Sequence, residues 1–98
     1  MNDTQLDRAL QSVGMITFIA YLDKFQDESL THKDLVDMLE SDKNNNYKKG
    51  SIIAKVSNGR LICRMSRDFD ALKVTAFASH AGKPTIARAR LLLAECNQ

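Results

Sequence analysis

SIIAKVSNGRLICRMS, residues 51–66, carries the clearest local pattern in the chain. Asn58-Gly59 is the dipeptide that a two-residue type I′ turn favours, because both central positions need positive φ. Folding the chain there pairs Val56 with Leu61, Lys55 with Ile62 and Ala54 with Cys63, on to Ile52 with Met65. Strand side chains alternate faces with a period of two. One face then carries Ile52, Ala54, Val56, Leu61, Cys63 and Met65, and the other carries Lys55, Ser57, Arg60 and Arg64 with Ile53 and Ile62. The expectation is an antiparallel hairpin, 51–57 against 60–66. An isolated hairpin is marginal in water, so its apolar face is expected to lie on helices.

The flanking segments read as those helices. From Thr4 to Gln26, Leu6, Ala9, Leu10, Val13, Ile16 and Ala20 recur at helical spacing. Thr4 and Asp7 form a candidate capping pair. Met15 to Leu22 is rich in β-branched and aromatic residues and follows Gly14, so a strand at 15–22 is the alternative there. A second helix is predicted over Thr31–Ser41, with Thr31 as cap and Leu35, Met38 and Leu39 as its stripe, packed antiparallel on the first across a short link. Residues 42–50 (DKNNNYKKG) read as loop. Arg67–Ala81 reads as a third helix, capped by Ser66 or Asp68, striped by Phe69, Leu72 and Ala76, and stopped by Gly82. A fourth begins at Pro84 and runs to about Cys96. The predicted fold is a single α+β domain over 1–98: four helices around a central hairpin, sharing an aliphatic core.

Residues 51–60 also resemble the recognition helix of repressor-type helix-turn-helix domains. Thr31 to Leu39 would be the preceding helix and Phe69 to Ala78 the following one. That resemblance implies an all-α DNA-binding bundle, the alternative fold. The motif joins its helices by a turn of about three or four residues, whereas about ten intervene here, including Asn44, Asn45 and Asn46.

Charge is segregated along the chain. Lys43, Lys48, Lys49, Lys55, Arg60, Arg64 and Arg67 are seven basic residues in a span with no acidic one. The 42 residues before them hold nine acidic and three basic side chains, and the total is only +2. Segregation of this kind speaks of partners. A basic loop and hairpin face would suit a phosphate backbone through Lys48, Lys49, Lys55, Arg60, Arg64 and Arg67, with Tyr47 available for stacking. The other reading is a dimeric interaction or adaptor module whose basic hairpin engages an acidic protein surface. The expected partner is therefore a nucleic acid or an acidic protein, with a homo-oligomer in either case. The sequence pI of about 8.6 lies below the range usual for nucleic-acid-binding domains.

Catalytic chemistry finds little support. Ser79 and His80 are neighbours and point apart on a helix, and His32 stands alone. Gly82-Lys83-Pro84-Thr85 lacks both the upstream glycine and the hydroxyl after the lysine that a phosphate loop needs. Cys63 and Cys96 have no metal spacing and read as reduced, mostly buried thiols. The apolar run 13–22 is about half a membrane span and has no basic leader. The chain is thus expected to be cytoplasmic and non-enzymatic, with no cofactor, no metal and no membrane partner.

Overall fold

The computed structural model describes residues 1–43 and 47–96. Among them the chain is all-helical, with seven helices: α1 (Asp3–Val13), α2 (Met15–Ala20), α3 (Leu22–Gln26), α4 (His32–Glu40), α5 (Lys49–Arg64), α6 (Asp68–Ala76) and α7 (Lys83–Cys96). The α+β class is corrected to all-α, the class of the alternative reading.

The hairpin at 51–57/60–66 does not form, because α5 runs straight through it. Its buried positions are Ile52, Val56, Gly59, Arg60 and Ile62, which follow a helical and not an alternating period. Asn58-Gly59 serves helix packing instead of a turn. The Asn58 amide donates to the Ala54 carbonyl at 2.8 Å and to Ser12 Oγ at 3.1 Å. Gly59 lies so close to the Phe25 ring that a Cβ would stand 2.8 Å from three ring atoms. Contacts with α1, α3, α4 and α6 make α5 the central helix.

The strand predicted at 15–22 is also helical, and the long first helix is broken into three. α1 is capped not by Thr4 but by Asn2, which exchanges reciprocal hydrogen bonds with Gln5 at 2.8 and 3.0 Å. It ends at Gly14, whose φ of +86° suits glycine and stops the helix. That break re-aims the stripe. Leu6, Ala9, Leu10 and Val13 face the core, but Ile16 beyond the break is 60% exposed. Phe18 and Phe25 stack with centroids 6.1 Å apart and are fully buried.

Thr31 caps α4, with its hydroxyl accepting from the Asp34 amide and the Asp34 carboxylate accepting from the Thr31 amide. Those bonds hold the Asp34 carboxyl below its usual range. α4 packs on α5 rather than on the first helix. Residues 41–48 join α4 to α5, so the tight turn of a helix-turn-helix unit does not occur. α6 is shorter than expected, with Arg67 and neither Ser66 nor Asp68 at its N-cap. α7 lies on α6 and α2. Ala89 is its one fully buried residue, and of the apolar face read from the sequence, Ala87, Leu91 and Ala94 are exposed.

Candidate protein-interaction groove

The structure dismantles the continuous cationic face. Arg60 is 3% exposed and turned inward. Its guanidinium donates to the carbonyls of Phe25 (3.1 Å), Asp27 (2.9 Å) and Leu30, the chain that leaves α3 for α4. Lys55 donates to the Val13 carbonyl at 2.7 Å, closing the C-terminus of α1. Its ammonium also lies 5.1 Å from the centre of the Tyr47 ring. Burial holds that ammonium below the ordinary lysine value. Tyr47 is half-buried, and its hydroxyl is 2.6 Å from the buried Thr17 hydroxyl. Arg67 bonds Asp70 and Asp3, each at 2.7 Å, and the Met1 carbonyl, tying the N-terminus to α6. Lys55, Arg60, Arg67 and Tyr47 are therefore internal fasteners.

Lys48, Lys49 and Lys43 remain exposed and form no ion pair among the described residues. Arg64 is exposed and only loosely paired with Glu28, at 3.8 Å. Asn44, Asn45 and Asn46 lie outside the described residues. Both cysteines are free, as reduced thiols would be, but their burial differs from expectation, with Cys63 half-buried and Cys96 exposed.

The surface feature that sequence reading missed is a groove between the α1–α2 elbow and α6. It has a volume of about 490 Å³ and is lined by Leu10, Met15, Ile16, Val74 and Ala81, with Asp7, Gln11 and His80 as its polar groups. A second hollow of about 360 Å³ continues it along α1 and α6, and the two share Asp7 and Val74. Arg67 neutralises Asp3 and Asp70 in that second hollow. Asp7 forms no ion pair and no side-chain hydrogen bond among the described residues. One turn beyond Val74, Phe77 is 77% exposed. The missed signal was Gly14, a helix stop in mid-stripe that implies apolar residues beyond it on a new face.

Two half-buried protons report on the scaffold around these surfaces. Burial, then the hydrogen bond to Asp42 at 2.7 Å, pushes the Tyr21 hydroxyl up to about 12. Burial, then the Asp68 carboxylate, pushes the Cys63 thiol up to about 12. The folded chain holds both protons more tightly than the unfolded chain does. Their stabilisation is whole below the ordinary values of 9.0 and 10.0 and is lost as the pH climbs towards about 12. Urea midpoints are expected to fall across that window. Tyr21→Phe should flatten the upper part of the fall, and an unchanged slope in that variant would contradict the assignment.

Among the described residues no three His, Cys, Asp or Glu side chains gather as metal ligands would, and no helix is long and apolar enough to cross a membrane. Comparison with protein families, with curated proteins and with solved structures returned no match.

Proposed function

We propose that this chain is a non-catalytic protein-interaction module that receives an amphipathic helix of a partner protein in the groove between the α1–α2 elbow and α6. The observation that carries the reading is the exposure of Ile16 and Val74 along a trough that holds one uncommitted carboxylate, Asp7. An apolar helix face laid in a hydrophobic groove is a recurring mode of peptide recognition. The two hollows share Asp7 and Val74, so an extended occupant such as a helix would reach lining residues from Ala81 to Asp3. Asp7, common to both, favours an Arg or Lys beside the partner's apolar anchors. The basic-surface version of an adaptor is set aside, since Lys55, Arg60 and Arg67, three of those cations, already have internal partners.

A display selection of randomised helical peptides against the intact chain tests the reading. Binders are expected to share apolar residues at i, i+3 or i+4, and i+7 with a neighbouring cation. Ile16→Asp should abolish their binding, and Asp7→Lys should reverse the preferred charge. A selection that returns no peptide above the Ile16→Asp background would overturn the proposal.

Lys43, Lys48 and Lys49 support a second reading. All three are exposed, and Lys48 and Lys49 stand at the start of α5, whose first turn holds no acidic residue. These groups would let the chain contact a nucleic-acid backbone, with an affinity that falls steeply with salt. Gel-shift titrations at two salt concentrations, with Lys48→Glu/Lys49→Glu as control, separate it from the groove reading.

A further inference from the structure

We infer that α7 is a self-complementary docking surface, on which a second copy of this chain packs antiparallel to the first. The inference rests on observations separate from the groove. In a helix that buries one residue fully, Leu91 is left 51% exposed, with Ala87 and Ala94 exposed one turn to either side. Written as a heptad, Pro84 and Leu91 share one seam position and Ala87 and Ala94 the other. Arg88 and Glu95 are seven residues apart and occupy the same flanking position.

The charges on α7 run against its own dipole. Cations are disfavoured near a helix N-terminus and anions near its C-terminus. α7 begins with Lys83 and has no acidic residue in its first turn, and Glu95 lies in its last turn, which has no basic residue. Neither Arg88 nor Glu95 forms an ion pair among the described residues, although Asp23 borders the same shallow hollow as Arg88 and is itself paired with Lys24. Lys83 and Glu95 therefore each stand at the end of α7 that disfavours their charge, while Arg88 and Arg90 lie in its middle.

An antiparallel copy reverses that arrangement. Residues at equivalent flanking positions meet across an antiparallel seam, so Arg88 of one chain faces Glu95 of the other, twice, about a two-fold axis. The same surface serves both chains, as an isologous contact requires. Leu91 inserts among the small side chains of the opposing helix, where Ala87 and Ala94 permit close approach. The positive end of each α7 dipole lies beside the negative end of its neighbour. A 14-residue helix is about 21 Å long, so the seam is short and the dimer is expected to be weak and reversible.

Sedimentation equilibrium on the intact chain, from micromolar to millimolar concentration, tests the inference. The mass is expected to rise from 11.0 kDa towards twice that value. Arg88→Glu and Glu95→Arg should each weaken the dimer at least about tenfold, and the double exchange should restore it. Leu91→Lys should leave a monomer at every concentration. These side chains are exposed, so the helical circular dichroism of each variant is expected to match the parent. A parent that stays monomeric at millimolar concentration overturns the inference. So does a dimer that ignores the single exchanges, or one that the double exchange fails to restore. Peptide binding in the groove, followed in Leu91→Lys, is read independently of either result.

Discussion

Gly59→Val is expected to remove about 3 kcal/mol of stability, the scale of a severe overpacking error. Two effects of opposite sign decide the outcome. Glycine inside a helix is about 1 kcal/mol worse than alanine, so alanine gains that much propensity and valine a smaller part of it. Against that, even a Cβ would lie 2.8 Å from three atoms of the Phe25 ring. The ring is fully buried and stacked on Phe18, so it has nowhere to retreat. Packing wins. Gly59→Ala should show the same sign with a smaller loss, and Phe25→Leu should relieve part of the Gly59→Ala loss in a double-mutant cycle. Gly50 is the control. It sits in the first turn of the same helix with nothing within 4 Å of its would-be Cβ, so Gly50→Ala should stabilise by a few tenths of a kcal/mol. Urea midpoints measured on the five variants, the double mutant included, give the answer. A stabilised Gly59→Ala would mean that α3 and α5 are not in contact as described.

Arg60→Met is expected to cost about 3 kcal/mol, with full unfolding at physiological temperature if the parent is marginal. Methionine matches the aliphatic stem but donates nothing. The carbonyls of Phe25, Asp27 and Leu30 would then lose a shared charged donor at the junction between α3 and α4. Each carbonyl left without a partner costs about 1 kcal/mol or more where water cannot replace it. Arg60→Lys should recover only part of the loss, because one ammonium cannot span three acceptors that a planar fork reaches. Glu28 contributes little, since it is exposed and stands 4.0 Å away. An Arg60→Met variant with parental stability and a new loss of nucleic-acid affinity would put this arginine back on the surface.

The sequence made most helical segments legible through their apolar spacing, although the caps read at Thr4 and at Ser66 or Asp68 gave way to Asn2 and Arg67. Leu6, Ala9, Leu10 and Val13 are buried as their period implies, and Thr31 caps α4. It misled at 51–66 because that segment satisfies two periods at once. Ile52 and Val56 are an even number apart and also one helical turn apart. Local turn chemistry at Asn58-Gly59 then favoured the strand reading. Its true cause, a ring from α3 pressed on the Gly59 backbone, is a tertiary contact that no local rule contains. The cationic site failed for a related reason. Counting charges along the chain does not reveal that Arg60 and Lys55 reach backwards to carbonyls 30 to 42 residues away. The groove was illegible until the helix stop at Gly14 fixed where Ile16 points.

The sparse burial of α7 sets the order in which the molecule comes apart. Opening free energy within a fold tracks the apolar contact that each unit would lose. Held on α6 and α2 by Ala89, by half-buried Ile86, Leu92 and Leu93, and by the Arg90 bond to the Ala76 carbonyl at 3.1 Å, this C-terminal segment fully buries fewer side chains than α1 or α5 and is expected to open before they do. The hub formed by α5 with α1 and α3 can outlive that fraying, so local opening at one end need not commit the chain to global unfolding.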